Sequence, residues 1–396
     1  MTSFPTTRAT PPAAGSGGGG VQPASLTATG VTATGVTATG VTTAGVTTAE
    51  AKAAGIKAAG IKAAGIKDVA ALAGVSPKTV TNVVHERPYV KQTTRARVLA
   101  AIEDLDYRPS RAGRQLQSGR SHLITLVVPR IDEPYLASLA HALIAAASAS
   151  GYRLLIDETG GRPEQEHQAA SGYPGHGIDG VIISPFALKP DQLAARSRDV
   201  PLVLLGQFLP GSTADYVAID DRGSAADAVA HLVDRGRRRL GYLGAEPGRP
   251  GALGEVRLAG YRRALGEHGL LEPDGGVGPG LNFDRDSGER GAAEMLVRVP
   301  DLDGLVCASD LMAIGAVRAL QRLGRRVPED VAVLGWDDIA EDQYVTPTLT
   351  TIASDLPALG QQTMAALIRR IEGDRSPGRA YVVPHRLVAR ASTGGS

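Results

Sequence analysis

The stretch IKDVAALAGVSPKTVTNVV, residues 66–84, decides what the rest of this 396-residue chain is for. Apolar residues at Ile66, Val69, Ala70, Leu72 and Ala73 break off at Gly74 and resume at Val80, Val83 and Val84, the spacing of two short amphipathic helices that meet at a tight turn. Ser76 stands where the second helix needs a hydroxyl N-cap, and Pro77 takes the first helical position, where a missing N–H costs nothing. The pattern is a helix-turn-helix. Its second helix turns Lys78, Thr79, Thr81, Asn82 and His85 away from the valine stripe, a row of polar groups suited to a major groove. A third helix is expected over about 92–105, carried by Val98, Ala101, Ile102 and Leu105.

Charge agrees with a nucleic-acid partner. Residues 66–121 hold ten Lys and Arg against five Asp and Glu, a local +5 in a chain whose net charge is only +1. Phosphate neutralisation supplies most of the salt-dependent affinity of DNA binders, so a small basic segment is what that task requires.

From Ile66 through YRPSRAGRQLQSGRS (107–121) the chain resembles the headpiece of the lactose-repressor/galactose-repressor family of bacterial transcription regulators. The likeness continues almost to the last residue, over about five-sixths of the sequence. It implies that Pro77, Lys78 and Asn82 read bases of double-stranded operator DNA, while Ser76, Thr79, Thr81, Tyr89, Thr94 and Tyr107 hold phosphates. It also implies a hinge helix over 110–117 that wedges Leu116 into the minor groove at the centre of a palindrome. Gly113 departs from the usual small helix former there, at roughly 1 kcal/mol of helix propensity relative to alanine. The expected plan is thus a helix-turn-helix domain over 66–109, then a hinge and linker over 110–121.

Residues 1–65 repeat every five positions from Leu26 (LTATG, VTATG, VTATG, VTTAG, VTTAE, AKAAG, IKAAG, IKAAG). A period of five fits neither a helix turn nor a strand alternation, and the recurring glycine penalises both, so a disordered low-complexity tail is expected. No apolar run is long enough for a signal sequence or a membrane span, which leads us to expect a cytoplasmic protein with no membrane partner.

The remaining 275 residues, 122–396, alternate strand-like and helical runs. LITLVV (123–128), YRLLID (152–157), GVIIS (180–184), LVLLG (202–206), YVAID (216–220), RLGYLGA (239–245), GLVCAS (304–309) and VAVLGW (331–336) are near-continuously apolar, as parallel strands buried on both faces are. The expectation is an α/β core of doubly wound parallel sheets. The resemblance implies two such lobes with a cleft between them, similar to periplasmic sugar-binding proteins. On that resemblance the first lobe would hold about 122–221 plus 350–375 and the second about 222–349 plus 376–396. It further implies that Arg257 clamps the oxygens of a small sugar-like effector, that Asp310 accepts its hydrogen bonds, that Phe283 stacks on it and that Tyr135 meets it from the opposite lobe. A fork of donors, an anionic acceptor and aromatic faces suit a polyhydroxylated ring.

Other chemistries find no support. Cys307 is the one cysteine, the eight histidines do not cluster at metal spacings, and no phosphate-cradling or nucleophile-elbow motif occurs. No catalytic residue, metal or cofactor is expected. A transport component with the same lobes would require export and has no use for a basic helix-turn-helix. The expected function is a ligand-responsive transcription repressor; the resemblance leaves induction and corepression open, and no sequence feature excludes an activator. Without a leucine heptad near ARASTGGS (389–396), a homodimer is expected.

If the repeat cannot pack, it cannot matter to binding. A chain starting at Gly65 should bind its DNA site as tightly as the full chain in gel-shift titrations; a loss of about tenfold (~1.4 kcal/mol) on removing residues 1–64 would overturn this.

Overall fold

The computed structural model describes residues 64–395 apart from 85, 108–118, 174, 197–198, 207–208, 210–211, 250 and 281. The expected tail, apart from its last two residues, and the expected hinge helix with Leu116 therefore lie outside the described residues.

The headpiece helices follow from their caps. Helix α1 (Ile66–Ala73) starts after Gly65, whose N–H is accepted by the Asp68 carboxylate at 2.8 Å. Gly74 ends it at φ +61°, a left-handed turn that glycine adopts without a side-chain clash, and the Val75 N–H returns to the Ala70 carbonyl at 3.0 Å. Helix α2 (Pro77–Val84) then begins as expected, with the Thr79 N–H donated to Ser76 Oγ at 3.2 Å. Helix α3 (Gln92–Asp104) closes a core of Val69, Ala70, Ala73, Val80, Val83, Val98 and Ala101. Leu72, expected in that core, is 53% exposed.

The core contains two six-stranded sheets. The first is ordered β11-β5-β4-β3-β1-β2, where β1 is Leu123–Val128, β2 Arg153–Glu158, β3 Gly180–Ile183, β4 Leu202–Leu205, β5 Asp215–Ile219 and β11 Ala380–Val383. The second is ordered β12-β10-β9-β8-β6-β7, where β6 is Leu240–Ala245, β7 Val277–Pro279, β8 Gly304–Cys307, β9 Ala332–Trp336, β10 Thr350–Ser354 and β12 His385–Val388. All pairings are parallel except that of β10 with β12. Every residue of β3, β4, β6, β8 and β9 is buried, in keeping with their unbroken apolar runs.

The assignment of segments to lobes needs two corrections. Residues 350–375 do not belong wholly to the first lobe, because β10 pairs with β9 in the second sheet, and only the following helix packs on the first. Residues 376–396 do not belong wholly to the second, because β11 pairs with β5 in the first sheet before β12 returns to β10. The chain thus crosses between lobes near Asp220, Asp355 and Pro384. Two of these crossings are capped: Asp220 accepts the Gly223 N–H and Asp355 the Ala358 N–H, each at 2.9 Å. Single-residue crossings leave no loop-like composition to read.

One buried carboxylate ties the late segments to the first sheet. Asp215, fully buried at the start of β5, receives Arg370 twice at 2.7 and 3.0 Å, Arg369 at 2.6 Å and the Arg379 N–H at 2.9 Å. Removing it strands a buried guanidinium. Asp215→Ala should lower the unfolding free energy by about 3–5 kcal/mol in urea titrations, and a change below about 1 kcal/mol would refute the clamp.

Candidate functional site

Two surfaces carry the residues singled out above. On the headpiece, Ser76, Pro77 and Lys78 are exposed at the start of α2, and Thr79, Thr81 and Asn82 are partly exposed along it. Thr81 Oγ1 donates back to the Pro77 carbonyl at 3.1 Å, and the 70%-exposed Tyr89 donates its hydroxyl to Asn82 Oδ1 at 3.2 Å, which orients the amide. Thr94 is partly exposed in the first turn of α3. Tyr107 differs: its ring is buried in the headpiece core.

Between the lobes lies a cavity of about 230 Å³. Tyr135, Arg257 and Phe283, expected there, all line it. Tyr135 comes from helix α4 (Pro134–Ala149) just past β1, and its hydroxyl bonds Ser354. Arg257 lies one turn into helix α8 (Leu253–Glu267), which can reach the end of β6 only because glycines meet there: a Cβ on Gly254 would stand 2.0 Å from the Gly244 carbonyl oxygen. (Helices α5, α6 and α7 between them are Pro163–Ala170, Pro190–Ala195 and Asp221–Asp234.)

Arg257 is held on several sides. Its Nε donates to Asp221 at 2.9 Å, its Nη1 to the Ala308 carbonyl at 2.5 Å, and its guanidinium lies 4.3 Å from the Trp336 ring centroid. Arg257 and Asp221 are almost wholly buried. Burial pushes the Asp221 carboxyl up, and the Arg257 charge opposes that.

Asp310, expected beside them, does not line the cavity. It opens helix α10 (Asp310–Arg322; α9 is Arg285–Arg298) directly after Ser309, whose Oγ caps the helix through the Met312 N–H at 3.2 Å. From there its carboxylate turns into the protein, accepting Thr351 Oγ1 at 2.7 Å and the Ile339 N–H at 3.2 Å. Asp342 lies near it, and burial together with the Asp310 charge raises the Asp342 carboxyl.

The acid that does line the cavity is Asp337, immediately after Trp336 at the end of β9. Its backbone φ is +120°, and Phe283, which lines the same cavity, has φ +55°. Left-handed backbone at non-glycine residues costs of order 1–3 kcal/mol each and persists where the surroundings impose it. Burial, then the Asp310 charge, hold the Asp337 carboxyl well above the usual range. Sequence reading also passed over Glu133, Phe186, Glu246 and Arg249. Phe186 is presented by a loop whose Phe186, Ala187 and Leu188 N–H groups are gathered on the buried Glu166 carboxylate at 2.6–2.9 Å.

Burial pushes Glu133 up to about 7; Arg130 and Arg257 pull it down, and Asp132 adds to the rise. An acid whose folded-state pKa is raised holds a proton that the unfolded chain has lost, so it makes stability fall as pH climbs from about 4.5 to 7. Glu133→Gln should therefore match the parent chain in urea unfolding near pH 5 and exceed it near pH 8. Equal differences at both values would contradict the assignment.

The matches with known proteins agree with both surfaces. Residues 65–110 match the description "Bacterial regulatory proteins, lacI family", and residues 229–393 match "Periplasmic binding protein-like domain". The chain is 34% identical over 335 residues to the HTH-type transcriptional regulator CelR of Thermobifida fusca, covering 82% of this chain and 96% of that protein. It is 33% identical to the regulator GalR of Escherichia coli, covering 82% and 94%. Among solved structures, the lac repressor dimer bound to operator and the anti-inducer ONPF aligns with a TM-score of 0.74 at 26% identity, over 84% of this chain and all but 1% of that one. The chain belongs to the lacI family of bacterial transcription regulators.

Proposed function

We propose that this chain is a transcriptional repressor that acts in the cytoplasm as a homodimer, binding a palindromic operator through residues 66–121, with operator affinity set by a small sugar-like effector in the cleft. The observation that carries the reading is one cavity lined from both lobes by Arg257, Tyr135 and Phe283, on a chain whose headpiece exposes Lys78 beside Asn82. CelR has been solved in complex with cellobiose, and that structure aligns over 83% of this chain at 32% identity. The dimer reading is supported by the first lobe's edge strand β2, which leaves Leu155 and Ile156 each 40–42% exposed. An open apolar edge is a ready pairing surface. The cytoplasmic reading is supported by the partner, because a regulator that binds operator DNA must share its compartment.

In this reading Pro77, Lys78 and Asn82 meet base edges, whereas Ser76, Thr79, Thr81, Tyr89, Thr94 and the Tyr107 hydroxyl meet phosphates and Leu116 wedges the minor groove. Asn82→Ala should change the preferred sequence in a selection from random duplexes, while Thr79→Ala should weaken all sequences alike. Sugar titrations against the selected operator should shift its affinity at least about fivefold, and Phe283→Ala should weaken the effector about tenfold. An unchanged base preference in Asn82→Ala, or no sugar that moves operator affinity, would sink the corresponding half of the reading.

A further inference from the structure

Charge bookkeeping inside the cleft leaves two acids over. Arg257 is paired with Asp221 at 2.9 Å, Arg249 with Glu246, and Arg130 with Asp132 at 2.9 Å, so each arginine lining the cavity already has its carboxylate. Glu133 and Asp337 line the same cavity, and neither side chain has a hydrogen-bond or ion-pair partner among the described residues. Glu133 belongs to the first lobe, at the N-terminus of α4, and Asp337 to the second, beyond β9. The Arg257 charge reaches both acids without a direct ion pair to either, and Glu133 adds to the rise of the Asp337 carboxyl across the gap.

A carboxylate without a direct ion-pair partner in a cleft is costly, and a second one nearby adds to the cost, unless a proton or a ligand cation neutralises them. A neutral polyol offers hydroxyl hydrogens but no compensating charge. A protonated amine offers three donors and a positive charge, and the aromatic faces of Tyr135 and Phe283 on the same cavity attract cations further. The space of about 230 Å³ is below the roughly 300–1,000 Å³ of pockets for drug-sized ligands, which suits a single ring.

Resting on the sugar-effector reading above, we propose that the effector is a compact single-ring polyol carrying a protonated amine, and that Glu133 and Asp337 grip the amine from opposite lobes. Neutral sugars of the same ring lack the group this pair selects.

Calorimetry at pH 7, where the amino sugars are mostly protonated, tests it with matched pairs: glucosamine against glucose, galactosamine against galactose, mannosamine against mannose. In at least one pair the amine should bind at least tenfold tighter than its neutral partner, and the same amine should shift operator affinity. Glu133→Gln and Asp337→Asn should each reduce that preference to within about threefold; Glu133→Gln, expected to fold at least as stably as the parent, keeps the test valid should Asp337→Asn fail to fold. Neutral sugars that bind as tightly as their amines and move operator affinity would overturn the amine and leave the sugar-effector reading standing. Absence of binding by every member of both series would overturn both.

Discussion

The ion pair of Arg257 with Asp221 is the contact on which the cleft depends. It joins α8, the first turn of α7 next to an interlobe crossing, the end of β8 through the Ala308 carbonyl and the end of β9 through Trp336. A buried pair of this kind adds little net stability, because desolvation of both charges offsets their attraction, whereas loss of one partner leaves the other uncompensated at about 3–5 kcal/mol. Its consequence is therefore geometric. Four elements that are distant in sequence are brought to one point, and the residue that follows Trp336, Asp337, has φ +120° and lines the cavity.

The headpiece was legible because its information is local. Ser76, Pro77 and Gly74 each act within four residues, and the structure realises all three roles. Strands in the core were legible for a similar reason, since a run such as LVLL buried on both faces has no polar alternation to mislead. The crossings were not, because β11 and β12 are separated by Pro384 alone yet lie in different sheets, a fact decided by long-range pairing with Asp215–Ile219 and Thr350–Ser354. The same distinction explains Asp310 and Asp337. Both are acids just past a buried strand, but Ser309 already caps α10 and leaves Asp310 one position inside the helix, aimed at Thr351, whereas Asp337 has no helix to enter.

Lobes joined by three short crossings can rotate about them with few torsions changed, as hinged two-lobe binding proteins do. A ligand then biases the rotation only by the difference in its contacts between the two arrangements. Residues that a ligand meets on one lobe alone contribute to affinity but not to that difference. Arg257, Phe283 and Asp337 belong to the second lobe, and Tyr135, Phe186 and Glu133 to the first, so a ligand spanning the cavity meets both.

Glu133 and Asp337 give this linkage its sign. With the cleft empty, bringing them together strengthens their repulsion and their desolvation, which opposes closure; both effects grow as the effective dielectric falls. Burial already holds both carboxyls above their usual range in the arrangement seen here. A cation between them converts the same geometry from repulsive to attractive, and the gain exists only when the lobes are close. The free energy of neutralising the pair is thus spent on the difference between the two lobe arrangements rather than on uniform binding, which is the condition for a ligand in the cleft to be felt by any element that moves with the lobes.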